Sequence, residues 1–113
     1  MIIYSVTTSV LSAKEGEWVE WMQEKHIPKV MATGYFTGFH FNKLLDPQPE
    51  PGTATYNVQY TLASFSDYHY YVTKDAPALR EDHESRFGKQ ALSFRTVLKN
   101  LDASIPSPTP SEN

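Results

Sequence analysis

The sequence predicts an α+β domain with the element order β-α-β-β-α-β. Several segments alternate between apolar and polar residues with a period of two, which is typical of strands, and the segments between them place apolar residues at helical spacing. The length of 113 residues suits a single domain with one core. Acidic and basic residues are interspersed at a net charge of −3, so the basic stripe of a nucleic-acid binder is absent from the sequence.

The first strand is predicted over residues 2–11, where β-branched and aromatic residues alternate with small polar ones. This alternation argues against a signal peptide, which would have a continuous apolar stretch after basic residues. The sequence has no run long and apolar enough for a membrane span, so we expect a soluble cytoplasmic protein that does not bind membranes. Because cysteine is absent, disulfides, thiolate metal sites and cysteine catalysis are excluded.

A first helix is predicted to begin at Ser12, because Glu15 follows it at the spacing of a capping box. Pro28 lacks the N–H group that a continuing helix needs, so we expect the helix to end near His26 and a second, short helix to open. Gly34 then provides a left-handed stop. Residues at helical spacing define the inward face of the first helix: Trp18, Trp21, Met22 and then Lys25 or His26.

A second helical region is predicted to begin at Ser64 or Ser66 and to be bent or restarted at Pro77 before Gly88 closes it. Its inward stripe consists of Ala76, Leu79, His83 and Phe87. On the opposite, solvent-facing side we expect two ion pairs at i, i+4 spacing, Arg80 with Glu84 and Asp82 with Arg86. The remaining strands are predicted over residues 36–45, 54–62 and 91–98, with a turn-rich loop over 46–52.

This order is the ferredoxin-like arrangement, in which right-handed crossovers place both helices on one face of a four-stranded antiparallel sheet. Even-numbered positions of the first and third strands are expected to face the helices. We assign residues 1–101 to this single domain and residues 102–113 to a C-terminal tail rich in proline and serine.

The sheet face without helices is predicted to be mostly neutral, which leaves two interpretations open. It is either an ordinary solvated face or the surface on which the sheet of a second copy packs, giving a homodimer with two-fold symmetry. In the second case Arg95 would lie in the interface. The residues predicted on this face are Ser5, Thr7, Phe39, Phe41, Asn57, Gln59, Thr61, Ser93 and Arg95.

Residues 2–99 resemble a family of short bacterial proteins of unassigned function in the dimeric α/β-barrel superfamily. The resemblance is carried by MIIYSVT at the start, W..WM.EKHIPKVMATGYFTG from Trp18, YNVQY from Tyr56, APALR.DH..RFG from Ala76 and FRTVL from Phe94. It implies a ferredoxin-like homodimer and supplies no catalytic residue. The superfamily includes small monooxygenases, haem-degrading enzymes and isomerases, and members without demonstrated chemistry.

Two of the four histidines are candidates for chemistry. His26, expected at the end of the first helix, is either a cation near the negative end of the helix dipole or a general base or ligand contact beside Trp21 and Met22. His83 lies on an inward face and needs a hydrogen-bond partner, for which Tyr56 or Thr8 are the expected candidates. It is either a satisfied core histidine or a pocket residue.

We expect His26 and His83 to lie at opposite ends of the helical layer, because the two helices run antiparallel. No HxH, HxxxH or HExxH spacing is present, so no metal site is predicted, and glycine-rich phosphate loops are also absent from the sequence. No cofactor is expected. The aromatic residues predicted between helices and sheet are Tyr4, Trp18, Trp21, Tyr56, Tyr60, Tyr68, Phe87 and Phe94.

The sequence therefore predicts a small homodimeric binding or regulatory protein that can hold a small apolar or aromatic ligand between helices and sheet. The candidate ligand-binding residues are His83, Tyr56, His26 and Trp21. The alternative is a cofactor-poor monooxygenase or isomerase, with His83 or His26 as the base, by analogy with the superfamily.

Overall fold

The computed structural model describes residues 1–104, which form one sheet covered by helices. The helices and strands, in chain order, are β1 (Ile2–Leu11), α1 (Glu15–Trp21), a π turn (Met22–His26), α2 (Ile27–Ala32), β2 (Phe36–Lys43), β3 (Thr53–Leu62), α3 (Phe65–Lys74), α4 (Ala76–Phe87) and β4 (Ala91–Lys99). Short 3₁₀ turns precede α1 and follow α4.

The four strands form one antiparallel sheet in the order β2-β3-β1-β4, which confirms the predicted ferredoxin-like fold. In the centre of the sheet Val6 of β1 lies opposite Val58 of β3 on one side and opposite Arg95 of β4 on the other. Residues directly opposite each other in an antiparallel pair point to the same face, so these registers decide which side chains meet the helices.

The core lies between the sheet and the helices and is rich in aromatic rings. Tyr4 packs with its ring centre 5.6–6.2 Å from those of Phe36, Tyr60, Tyr68 and Tyr71. Trp18 of α1 is completely buried. Burying a large apolar side chain contributes about 1.5–3 kcal/mol, so this layer accounts for much of the stability of a small domain.

The first helical region is continuous, and the predicted capping box at its start is wrong. No side chain caps α1. Glu15 instead accepts a hydrogen bond from the Tyr56 hydroxyl at 2.5 Å and forms an ion pair with Lys43 at 2.8 Å. The helix does not end near His26 but passes through a π turn into α2, where the Ile27 N–H group donates to the Met22 carbonyl. Pro28 lies in the first turn of α2, as expected.

Strand β2 contains a bulge that reverses the predicted facing of two phenylalanines. The register shifts between Phe36 and Gly38, after which Phe39 lies opposite Tyr60 and Phe41 opposite Val58. Both therefore face the helices and not the opposite side of the sheet. An extra residue in one strand inverts the alternation of every position that follows it, and sequence periodicity does not reveal where it is inserted.

The side chains of β4 also point to the sheet faces opposite to those predicted. Ser93 lies opposite Thr8 and hydrogen-bonds to it at 2.7 Å, so Ser93 and Arg95 are on the helix side. The predicted core residue Phe94 consequently lies on the helix-free face, where 63% of its surface is exposed. The numbering parity of a strand says nothing about its face until its register with a neighbour is known.

The second helical region follows the prediction at its start and at its break. The Ser64 side chain caps α3 by accepting from the Asp67 N–H group, and α4 begins after Asp75 with a proline in its first turn. The predicted inward stripe is confirmed, since Ala76, His83 and Phe87 are buried and Leu79 packs against the core.

The two ion pairs predicted on α4 do not form within residues 1–104. Arg80 turns inward and donates from Nη2 to the Tyr4 hydroxyl at 3.1 Å, and Arg86 lies over the Trp21 ring at 5.7 Å. Exposed i, i+4 pairs contribute only about 0.2–0.5 kcal/mol, so contacts with the core compete with them easily.

Within the part of the chain that the structure describes, every helix is too short or too polar to cross a lipid bilayer. The predicted C-terminal tail begins in this part, where residues 101–104 have no regular secondary structure. Its remainder, residues 105–113, lies outside the described residues, and the assignment of residues 102–113 as a tail stays a prediction.

Candidate functional site

The imidazole rings of His26 and His83 lie side by side between the helices. Their centres are 6.0 Å apart with the planes inclined at 63°. The prediction that they occupy opposite ends of the layer is therefore wrong. It assumed that the first helix ends at His26, whereas the helix continues to Ala32 and leaves His26 within it, against the middle of the layer.

His83 is held by an unexpected partner, the indole of Trp18. The Trp18 Nε1–H group donates to His83 Nε2 at 3.0 Å, and both side chains are buried. The predicted partners are engaged elsewhere, Tyr56 with Glu15 and Thr8 with Ser93. Because an indole N–H can only donate, Nε2 must be an acceptor, and neutral His83 carries its proton on Nδ1.

The electrostatic surroundings agree with a neutral His83. Burial lowers its pKa, and the positive charge of Arg95 lowers it further. A second proton on Nε2 would also point at the indole N–H, so protonation would cost this hydrogen bond.

His26 stacks on Trp21 with ring centres 5.0 Å apart and planes inclined at 30°. Burial lowers its pKa to about 4, with a further contribution from neighbouring His83. The ring is therefore neutral at pH 7. Its Nδ1 atom is buried and has no hydrogen-bond partner within the described residues, which is unusual for a polar atom in a core.

Both histidines face a narrow cleft between the helices and the sheet. Its interior volume is only about 30 Å³. The cleft is lined by aliphatic residues, three tyrosines, a threonine, a serine, two histidines and two arginines: Tyr4, Val6, Thr8, Met22, His26, Val30, Val58, Tyr60, Tyr71, Leu79, Arg80, His83, Ser93 and Arg95.

Two tyrosines add further polar groups to the wall of the cleft. The hydroxyl groups of Tyr60 and Tyr71 make no hydrogen bond to any other part of residues 1–104. Burial raises the pKa of both above the ordinary tyrosine value, so both remain neutral donors. The wall thus offers several donors to a bound oxygen atom.

Of the four residues predicted for the site, the structure brings three together. His26 and His83 line the cleft, and Trp21 supports both, with its ring centre 5.7 Å from that of His83. Tyr56 is outside it, because its hydroxyl donates to Glu15 and its ring packs against Trp18 at 5.2 Å.

Sequence reasoning missed the two arginines. Arg80 precedes His83 by three residues on α4, so the helical spacing that marked His83 as inward could also have marked Arg80. Arg95 gave no comparable indication, since its face depends on the register of β4. Among residues 1–104, no group of three or more His, Cys, Asp or Glu side chains is arranged to hold a metal ion.

Residues 1–101 match the sequence family DUF4286, described as a domain of unknown function. The chain belongs to that family. No curated protein matches this chain.

Solved structures share the fold of this family member at low sequence identity. HapK from Hahella chejuensis has a TM-score of 0.69 at 11% identity, over 95% of this chain and 99% of that one. A dimeric ferredoxin-like protein from an uncultured marine organism has a TM-score of 0.65 at 10% identity, over 94% and 100%. A mutant of MhuD, with two manganese protoporphyrin IX molecules bound per active site, has a TM-score of 0.63 at 13% identity, over 92% and 99%.

We expect Trp18→Phe to lower the free energy of unfolding by about 1–3 kcal/mol, because the buried His83 Nε2 atom loses its donor. The pKa of His83 should rise, since a proton on Nε2 would no longer oppose the indole N–H group. Urea unfolding and an NMR titration of the imidazole measure the two effects. Trp21→Phe is the matched control, with the same loss of volume beside His83 but no hydrogen bond to it. An unchanged His83 pKa in Trp18→Phe would contradict the assignment.

The lowered pKa of His26 makes the stability depend on pH. In the unfolded chain His26 binds a proton near its ordinary pKa of 6.5, whereas in the fold it does so only near 4. The unfolded state therefore binds more protons between these values. The contribution of neutral His26 to the free energy of unfolding is fully present above pH 6.5 and is lost as the pH falls toward 4. About 2 kcal/mol of it is lost between pH 7.5 and pH 5.

His26→Gln removes this titration, so its free energy of unfolding should fall less than that of the wild type over the same pH interval. Urea unfolding at closely spaced pH values measures the slope. His69→Gln, a change at an exposed histidine on α3, is the control and should keep the wild-type slope. The pKa assignment fails if His26→Gln and wild type lose the same stability on acidification.

Proposed function

We propose that this protein is a homodimeric binding protein that holds a small planar molecule in the cleft beside His26 and His83. The observation that carries the proposal is the buried Nδ1 atom of His26, which has no hydrogen-bond partner within residues 1–104 and belongs to a ring that lines the cleft beside a second neutral imidazole. A buried polar atom without a partner is costly in an ordinary core, so its presence is accounted for by a ligand atom that satisfies it.

The local backbone supports the same site. The π turn at Met22–His26 gives the last residue of the turn its place beside His83. Single π turns inside α-helices occur frequently at functional sites. An aromatic and apolar wall with a few convergent polar groups is also the usual composition of a small-molecule site.

The dimensions of the cleft restrict the occupant to a thin, small molecule. Drug-sized ligands occupy pockets of about 300–1,000 Å³, far more than the interior offers. Because the interior volume is only about 30 Å³, even a single flat ring requires the walls of the cleft to move outward. Haem does not fit: the interior is too narrow, and ligation of iron through His83 Nε2 would break the hydrogen bond from Trp18. The cleft therefore does not accommodate the protoporphyrin that MhuD binds.

The alternative is a cofactor-poor monooxygenase or isomerase in which His26 removes a proton from the bound molecule. It is favoured by the neutral imidazole of His26, whose Nδ1 atom has no partner within the described residues, because a general base needs a nitrogen that can accept a proton. The pKa of about 4 weighs against it, because a base works best when its pKa is near the operating pH. Binding is therefore the function that the site supports better.

Ligand binding is tested by thermal melts with a panel of phenols and quinones, with haem as the oversized control. A ligand at a hundred times its Kd should stabilise the protein by about 2.7 kcal/mol, which for a domain of this size corresponds to an increase in Tm of several degrees. We expect His83→Phe and His26→Leu to lose the increase, and His69→Leu to retain it.

A panel in which no phenol or quinone raises the Tm of the wild type would contradict the binding proposal, as would a shift that both cleft variants retain. Oxygen uptake or isomerisation of a bound phenol or quinone, lost in His26→Leu, would favour the enzyme instead.

The homodimer is proposed through the helix-free face of the sheet. Three apolar side chains of β4 stand exposed there, Leu92, Phe94 and Leu98, at 60%, 63% and 45% of their surface. Beside them Asn57 donates to Ser5 and Thr7, so the central polar groups are already satisfied. A satisfied polar centre with an apolar flank is suited to a symmetric contact with a second copy.

We expect the wild type to sediment at about twice the chain mass at micromolar concentration, and Phe94→Glu to sediment as a monomer, because a carboxylate would be buried in the interface. Leu45→Glu is the control at an exposed apolar residue outside the sheet. Arg95→Glu should leave the dimer intact, since Arg95 faces the cleft. A dimer that survives Phe94→Glu would exclude this face.

A further inference from the structure

Arg80 carries a partly buried guanidinium that forms no ion pair with a carboxylate of residues 1–104. Its Nη2 atom donates to the Tyr4 hydroxyl at 3.1 Å, and its Nε atom is buried without a hydrogen-bond partner within the described residues. None of the three ion pairs found in residues 1–104 involves Arg80. Arginine remains charged at all relevant pH values, so this site holds a positive charge that the protein itself leaves only partly compensated.

A second arginine reinforces the same charge. Arg95 of β4 is an exposed residue that lines the cleft opposite α4, and its positive charge adds to the effect of burial in lowering the pKa of both histidines. The residues that line the cleft include no aspartate or glutamate. On α4, Asp82 pairs with Lys29 at 3.6 Å, whereas Glu81 and Glu84 lie with Arg80 and Arg95 around the adjoining outer opening. The inner cleft therefore has two positive and no negative lining side chains, and the acidic side chains stand only at its outer side.

The donors of Arg80 and Tyr4 are arranged for an anionic oxygen. Nε–H and Nη2 form one edge of the guanidinium, the edge that receives carboxylates side-on. The Tyr4 hydroxyl accepts from Nη2 and keeps its own proton for donation to a neighbouring oxygen. The indole-bound His83 and neutral His26 add no negative charge beside it.

Resting on the proposed function, we infer that the occupant of the cleft is an anion, a small planar carboxylate whose charged oxygens are held by Arg80 and Arg95. Its uncharged ring lies between the sheet and Met22, toward His26. This assigns Arg80 as the residue that selects acids over their neutral analogues, because a buried charged hydrogen bond is lost when the ligand is uncharged.

Benzoate and benzamide form a matched pair of probes, equal in size and different in charge. We measure their Kd values for wild type, Arg80→Met and Arg80→Lys by NMR titration of backbone amides at pH 7.5 and low salt. We expect wild type to bind benzoate at least about tenfold more tightly than benzamide, a difference of 1.4 kcal/mol. Arg80→Met should abolish the preference and leave the Kd for benzamide unchanged, whereas Arg80→Lys should retain part of it.

Arg86→Met is the control, since it removes an arginine from the same helix that lies over Trp21 outside the cleft. It should keep the wild-type preference. The amide spectrum of each variant reports whether it is folded, and if Arg80→Met is not, Arg80→Lys and Arg95→Met carry the comparison.

Equal affinity for both probes, or a preference that survives the loss of Arg80, overturns the anion inference while the proposed binding function stands. If neither probe binds wild type at about 10 mM, ten times the concentration that corresponds to −4.1 kcal/mol, the anion inference fails, and the melts with phenols and quinones decide the proposed function separately.

Discussion

The hydrogen bond from Trp18 to His83 is the interaction on which the rest of the site depends. It joins α1 to α4 across the middle of the helical layer, and it is buried at both ends. The direction of donation is fixed by chemistry, since an indole has no acceptor nitrogen, and this fixes the tautomer of the imidazole. Once Nε2 is occupied, only the opposite side of the His83 ring is available to the cleft.

The second constraint is the continuity of the first helical region. A proline within a helix removes a backbone donor, and here the chain accommodates it with a π turn over Met22–His26 immediately before Pro28. Because the helix is not broken, His26 remains within the layer, where it stacks on Trp21 and meets the His83 ring edge-on. One local adjustment of the backbone thus turns an expected helix end into part of a cleft wall.

Charge is distributed unevenly within the helix–sheet layer. At one end Glu15, Lys43 and Tyr56 satisfy one another in a compact network that needs no ligand. At the cleft, Arg80 and Arg95 have no such partner among residues 1–104. The contrast separates a polar cluster that serves the fold from a polar cluster that is suited to an outside molecule.

The sequence by itself determined the order of the elements, the ferredoxin-like arrangement and the inward faces of the helices. These follow from local periodicity and from turn residues such as Ser64, Gly34 and Gly88, whose effects act within a few positions along the chain. His83 was therefore placed inward correctly, and Trp21 beside the candidate site. The capping box predicted at Ser12 does not form, because the Glu15 side chain binds Tyr56 and Lys43 of the sheet instead.

Only the tertiary structure decided which side chains share the cleft. The facing of Phe39 and Phe41 depends on a bulge, and that of Ser93, Phe94 and Arg95 depends on the register between two strands far apart in sequence. A shift of one residue in either exchanges the two faces of a strand without changing its local pattern. The meeting of His26 with His83, and the turn of Arg80 toward Tyr4, likewise depend on contacts between distant segments, which periodicity along one segment does not contain.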